Sequence, residues 1–353
     1  MCWFGRCIVT IPDQLIIAAL GGGQYNRLYM KQIKYKKMTG MGGIVALGWL
    51  IFTTAVAVTQ RKLIFKPVRI KEVERPRSIG HRTRPVVLRS IDGTRLSGWL
   101  LTPRAPGPHP AVVYFGGRSE EVSWVARDAW RMFPNMTVLA INYRGYGDSE
   151  GIPGELKMIE DAHMLFDWMV EHRHVTAGKI AVVGRSLGSG VAVQLAVSRP
   201  VAAVVLITPY DSLLAIAKRR FPSIPGFVLR HRFDSVKHAP LLSAPTFVIR
   251  AASDDVVPAS HTDLLVAKLT SVLRDETIPD SDHSTIPYLE STQDCIAQFL
   301  TTYFNKASDV ALASIDVQAI GTAPVLANLV MPISSGALPL QINPGDAGLN
   351  DRR

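Results

Sequence analysis

The residues best suited to chemistry sit at Gly184-Arg185-Ser186-Leu187-Gly188, a serine flanked two positions away on each side by glycine. The pentad directly follows the apolar run Ile180 to Gly184 and directly precedes a helical stretch, Leu187 to Val197. A sharp strand-to-helix turn forces its central residue to positive φ, and only small neighbours let the two backbones cross closely. The serine hydroxyl then stands above the carboxyl ends of the strands, where open sheets bind ligands. A serine is a weak nucleophile at neutral pH, so it needs a base within hydrogen-bond reach, and the base needs an orienting acid. Of the nine histidines, His283 alone lies between the last strand-like run and the final helical stretch. Asp254 follows the run Thr246 to Ala251 and is the favoured acid, with its neighbour Asp255 and Asp211, which follows Ala202 to Ile207, as alternatives. The developing oxyanion requires two backbone N–H groups. The amide of Leu187, at a helix N-terminus, is one, and Gly116-Gly117-Arg118 supplies the other, with Arg118 favoured over Gly117.

The elements that must carry these residues follow from the hydropathy pattern. Short apolar or alternating runs occur at Val86 to Ile91, Arg95 to Leu101, Ala111 to Phe115, Val138 to Tyr143, Ile180 to Gly184, Ala202 to Ile207, Thr246 to Ala251 and Asp275 to Ile278. Asp92-Gly93 joins the first two as a hairpin turn. The middle runs are continuous Val, Ile and Leu, as expected of strands covered on both faces. Helical periods fall between them at Glu155 to Glu171, Leu187 to Val197, Ser260 to Leu269 and Tyr288 to Phe304. This alternation predicts an α/β fold with a mostly parallel eight-stranded sheet and helices on both faces, spanning residues 86–304. A short cap at 212–243 mixes Leu213, Phe221, Ile224 and Phe227 with Lys218, Arg219, Arg220, Arg230 and Arg232.

Outside that domain, Met41 to Thr59 is a run of uncharged, mainly apolar residues. At 1.5 Å per residue it just covers a bilayer core of about 30 Å, so the expectation is a single transmembrane helix. A signal peptide, with Ala55-Val56-Ala57 as a weak cleavage site, and a buried core helix are the alternatives. Basic residues flank both ends, so the charge rule leaves the side of the catalytic domain open. Translation from Met38 or Met41 would remove the upstream lysines, which makes residues 1–40 an extension that need not be translated. Residues 60–85 read as a basic linker and 305–353, rich in Ala, Pro, Gly and Ser, as a weakly ordered tail.

The net charge of +10 is uneven. Residues 1–85 hold 15 Lys+Arg against 3 Asp+Glu, residues 86–304 hold 21 against 22, and the tail holds 3 against 4. A neutral domain behind a basic membrane-proximal segment points to anionic lipid as partner and not to nucleic acid. Cys2, Cys7 and Cys295 cannot build a disulfide framework, and their spacing suggests no zinc site. Neither a phosphate-binding glycine loop nor a metal-ligand spacing is present, so no cofactor is expected.

Several stretches together resemble the α/β-hydrolase superfamily, and within it the membrane-anchored BEM46-like serine hydrolases. They are Tyr114 to Gly117, Asn142 to Gly151, Gly184 to Gly190 and Thr208 to Ser212. The resemblance covers about Val86 to Phe304 and implies the triad Ser186, Asp254 and His283. That family often carries His-Gly-Asn where this chain has Gly116-Gly117-Arg118, so the side-chain chemistry of that loop differs while the backbone donors can remain. The expected activity is hydrolysis of carboxylic esters or thioesters through an acyl-enzyme, on a small or lipid-like acyl substrate. A peptidase and a non-catalytic membrane scaffold are the competing readings.

Overall fold

The computed structural model describes residues 21–70 and 75–319. A long first helix, α1 (Gly21–Ile64), precedes the hairpin of β1 (His81–Arg89) and β2 (Arg95–Pro103). Then follow β3 (His109–Phe115), α2 (Ser123–Met132), β4 (Thr137–Ile141), α3 (Glu155–Val170), β5 (Val175–Arg185), α4 (Leu187–Ser198) and β6 (Ala203–Ile207). The chain continues through α5 (Leu213–Arg220), α6 (Ser235–His238), β7 (Thr246–Ser253), α7 (Ala259–Val266), β8 (Val272–Asp282) and α8 (Glu290–Ala319). The eight strands make one sheet in the order β1-β2-β4-β3-β5-β6-β7-β8, parallel from β4 onward, with β2 antiparallel to both β1 and β4. The β1–β2 turn lies at Asp92-Gly93, where Gly93 takes φ 80°.

Alternation along the central strands builds two apolar layers, because successive side chains of a strand point to opposite faces. Val113, Phe115, Val182, Val204 and Leu206 pack with α3 and α4 on one face. Val112, Tyr114, Val183, Val205 and Phe247 pack with α2 and α8 on the other. The order β4-β3-β5 places the end of β3 beside the end of β5, which brings the Gly116 loop next to Ser186.

The chain between α1 and β1 is not simply a tether. Phe65 is buried in the layer that holds α3 and α4, and the Ile70 and Gly147 amides donate to the Gly147 and Val68 carbonyls, tying residues 68–70 to the loop after β4. The cap, residues 212–243, starts with α5, whose first turn is capped by Ser212 Oγ accepting from the Ala215 amide at 3.1 Å. Its returning segment is latched by Glu155, which accepts from the Arg232 amide at 2.7 Å and the Phe233 amide at 2.9 Å.

The structure places the expected transmembrane run, Met41 to Thr59, in a helix without showing a membrane span. These residues lie inside α1, and no helix among the described residues is long and apolar enough to cross a membrane. One side of the second half of the run meets protein, while Ile51, Thr54, Ala55, Val58 and Thr59 are exposed. The Gln60 side-chain amide donates to the Val228 carbonyl and accepts from the Arg230 amide, and the Phe52 ring lies 5.9 Å from that of Phe221. Thr53, two turns before Gln60 on the same side of the helix, is also buried.

At the other end, α8 continues to Ala319, past the expected start of the tail at residue 305. Contacts divide the chain after Lys306, and the described part of the second unit is this helical continuation. Residues 1–20, which include Cys2 and Cys7, and residues 320–353 lie outside the described residues.

Candidate active site

The strand β5 ends at Arg185 and α4 starts at Leu187, so Ser186 must make the whole turn, and it does so at φ 48°, ψ −114°. Two glycines make the crossing feasible. A Cβ on Gly184 would stand 2.4 Å from the Gly188 carbonyl oxygen, and one on Gly188 would stand 2.1 Å from the Phe115 carbonyl oxygen. The strained turn is held by the Ser186 amide donating to the Ile207 carbonyl at 2.8 Å and by Ser189 Oγ donating to the Ser186 carbonyl at 2.7 Å.

The loop after β8 brings His283 Nε2 to 2.8 Å from Ser186 Oγ. His283 Nδ1 lies 2.8 Å and 3.0 Å from the two oxygens of Asp254, at the end of β7. Asp254 Oδ1 also accepts from the amides of Val256 (3.0 Å) and Val257 (2.7 Å), which fixes its rotamer. With the carboxylate on Nδ1, the imidazole carries its proton there, so Nε2 is the lone-pair nitrogen facing the hydroxyl. Ser186 and His283 are both buried, at 7% and 8% exposure, and among the described residues the hydroxyl has no partner besides His283.

The alternatives left open by the sequence separate cleanly. Asp211 instead holds His261, with its Oδ1 at 2.9 Å from Nδ1, and both are buried. The carboxylate bonded to His283 is that of Asp254 and not of Asp255. The Gly117 amide donates to Glu120 Oε2 at 2.7 Å and is therefore occupied. The Arg118 amide donates to no group among the described residues, and the Leu187 amide is one of the orphan donors of the first turn of α4.

Glu120 and Arg185 do not stand out in the sequence, yet they border every part of this arrangement. Arg185 Nη1 donates to Glu120 at 2.8 Å and Nη2 donates to the His283 carbonyl at 3.0 Å. Burial works against the Arg185 charge, but the neighbouring Glu120 carboxylate prevails and holds its pKa above the ordinary arginine value. Tyr114, which donates to Glu120, has its pKa pushed well up, first by burial and then by that carboxylate. Doubling of an acidic residue after Gly-Gly-Arg-Ser is the one sequence signal that could have drawn attention to Glu120. Among the described residues no cluster of His, Cys, Asp or Glu could hold a metal ion. The arrangement can deliver a hydroxyl nucleophile to an electrophilic carbon and move one proton.

Residues 106–230 match the Hydrolase_4 family, described as serine aminopeptidase, S33. The chain is 33% identical over 276 residues to an uncharacterised protein of Mycobacterium tuberculosis, covering 77% of this chain and 97% of the relative. It is 26% identical over 262 residues to protein bem46 of Schizosaccharomyces pombe, covering 69% and 84% of the two chains. Among solved structures, the Pyrococcus furiosus esterase superposes with a TM-score of 0.55 at 19% identity, over 68% of this chain and 98% of that one. At that identity the likeness is one of fold.

Proposed function

This chain belongs to the α/β-hydrolase superfamily, and from that premise we propose that it is a serine hydrolase that cleaves carboxylic esters or thioesters through an acyl-enzyme. The observation that carries the reading is the unbroken chain of contacts from Ser186 Oγ through His283 to Asp254, each at 2.8 Å, set on a positive-φ elbow. In this scheme Ser186 Oγ attacks the acyl carbon while His283 Nε2 takes the hydroxyl proton. The carbonyl electron pair moves onto oxygen, where the Leu187 and Arg118 amides receive it. Collapse expels the alcohol or thiol, which takes the proton from His283. Water then repeats the sequence on the acyl-serine and frees the acid. Asp254 keeps the imidazole in the tautomer that accepts at Nε2 and stabilises the imidazolium that forms.

The esterase among the structural neighbours agrees with ester chemistry, and the apolar side chains of the cap suit an acyl chain. The description of the matched family favours a second reading, release of an N-terminal residue by the same serine. Turnover on p-nitrophenyl esters, acyl-cysteine thioesters and aminoacyl amides separates the two. Ester or thioester turnover at least tenfold above amide turnover is expected, and the reverse order would replace this reading by the peptidase one.

The setting of this chemistry is, in the same proposal, an anionic lipid surface. Val45, Leu47, Trp49, Leu50 and Ile51 of α1 and Phe227 of the cap are exposed apolar side chains, and Arg61, Lys62, Lys218 and Arg219 are exposed on the same two elements. In this proposal the exposed apolar side chains of α1 enter the lipid and the basic residues meet its headgroups. Flotation with phosphatidylcholine vesicles, with and without phosphatidylglycerol, tests this. The protein should float with the anionic vesicles and Trp49→Glu/Phe227→Glu should not; equal flotation of the two would exclude this surface.

A further inference from the structure

The loop expected to supply the second oxyanion donor is fixed by one buried carboxylate. Glu120 is 4% exposed and accepts four hydrogen bonds. Oε2 takes the Gly117 amide at 2.7 Å and Arg185 Nη1 at 2.8 Å, while Oε1 takes the Tyr114 hydroxyl at 2.8 Å and Trp124 Nε1 at 2.9 Å. A carboxylate offers about four lone-pair sites, so Glu120 is saturated. Its donors come from four places: strand β3, the loop after it, helix α2 and the residue before the nucleophile. Through Arg185 Nη2 the connection continues to the carbonyls of His283 (3.0 Å) and Ser284 (3.4 Å). On the far side of the same loop the Arg118 carbonyl accepts from the Tyr146 hydroxyl at 2.7 Å and the Lys66 amide at 3.0 Å. Fixed bonds therefore lie on both sides of the Arg118 amide, which itself has no protein partner among the described residues.

We propose that Glu120 is a positioning residue for hydrolysis, setting the Arg118 oxyanion donor and the His283 base relative to each other. The proposal rests on the serine-hydrolase reading above. Glu120 touches neither substrate nor reacting atoms. By drawing the Gly117 amide into the protein it leaves the next amide, that of Arg118, for the oxyanion. By holding Arg185 it sets the backbone of His283 and hence the imidazole over Ser186. The pair is buried, so the hydrogen-bond geometry is enforced in a low-dielectric setting where it is strong.

The test compares Glu120→Gln with the wild type on a p-nitrophenyl ester. Glutamine has the same shape but no charge: with its oxygen toward the Gly117 amide and Arg185, its NH₂ meets the Trp124 N–H and the Tyr114 hydroxyl, which can turn to accept, so the ion pair with the buried Arg185 and the Trp124 bond are lost. Loss of one aligned oxyanion donor costs about 10²–10³-fold in kcat in a known case, and a fall of about 10²-fold is expected here with KM within about threefold. Affinity for a trifluoromethyl ketone, which places an oxyanion in the same spot, should fall in proportion to kcat/KM. Phe299→Leu, in the apolar layer beside Phe247, controls for general loosening. It should lower Tm and leave kcat in place.

Unchanged kcat in a folded Glu120→Gln protein would overturn the proposal, as would an equal loss in Phe299→Leu. If the glutamine variant does not fold, Glu120→Asp retains the charge but is one methylene shorter. It should show the same loss in kcat and ketone affinity to a smaller degree, and wild-type values there would also overturn the proposal. Wild-type labelling at Ser186 by a fluorophosphonate is run alongside. Its absence would count against the serine-hydrolase reading itself, whereas its presence lets the variant comparison bear on Glu120 alone.

Discussion

Replacing Gly188 by alanine should damage catalysis out of proportion to its size. A Cβ at this position would lie 2.1 Å from the Phe115 carbonyl oxygen, 2.6 Å from its carbon and 2.7 Å from the Gly116 carbonyl oxygen, where ordinary contact starts at 3.4 Å. All three are backbone atoms, so no side chain can swing aside. The contact must open by about 1.3 Å, the difference between 3.4 and 2.1 Å. Neither partner yields freely. The Tyr143 hydroxyl holds the Gly116 carbonyl at 2.9 Å, and the start of α4 is held by the Ser186 amide on the Ile207 carbonyl. Separation would move Leu187 away from Arg118, the two proposed oxyanion donors. A misplacement of about 1 Å costs on the order of 10²-fold in rate. Overpacking of this kind costs roughly 1–3 kcal/mol of stability, which for a domain of this size lowers Tm by roughly 2–12 °C. The assay is differential scanning fluorimetry with the rate of fluorophosphonate labelling on the same preparations. Gly48→Ala is the comparison, since nothing lies within 4 Å of a Cβ there. If Gly188→Ala melts within about 1 °C of the wild type and labels at its rate, the close crossing of α4 and the Gly116 loop is refuted.

Two further outcomes concern the acid of the triad and a buried histidine away from it. Asp254→Asn should lower kcat by about 10⁴-fold, the scale found when a triad aspartate is replaced and the histidine takes the wrong tautomer. A steady-state assay showing less than a tenfold loss would remove Asp254 from the site. His81 is buried, and desolvation lowers its pKa against the weaker support of the Met136 carbonyl. The unfolded chain therefore binds this proton first. Its share of stability is complete above the ordinary histidine value of about 6.5 and is lost as pH falls from there toward the lowered folded value. The drop in Tm between pH 7.5 and 5.5 should accordingly be smaller in His81→Gln, and an identical drop would contradict the assignment.

How much of the fold and site is readable in the sequence depends on the range of the interaction. The Ser186 turn is local: glycine at 184 and 188 and an apolar run before it are enough to specify a strand, a tight turn and a helix. Asp254 and His283 follow from a slightly longer argument, their position after β7 and β8. The strands are legible because Val112, Val183 and Val205 sit in runs covered on both faces. Helix α2 is not, since Trp124, Val125, Ala129 and Met132 are interrupted by Arg127, Asp128 and Arg131, and burial becomes apparent only with the sheet beneath them. The role of Glu120 is hidden for the same reason, because its four partners meet only in the folded chain. Met41 to Thr59 reads as a membrane span because an uncharged helix has the same composition whether it is covered by lipid or partly by a cap. The Gln60 to Val228 contact that ties the helix to the cap just after this run spans 168 residues.

The central claim is that Ser186 is the nucleophile, and intact-protein mass spectrometry after reaction with a fluorophosphonate tests it most directly. One adduct per chain is expected, mapping to the peptide that contains Ser186 and absent from Ser186→Ala and His283→Ala. An adduct on another residue, or ester hydrolysis that persists in Ser186→Ala, would contradict it.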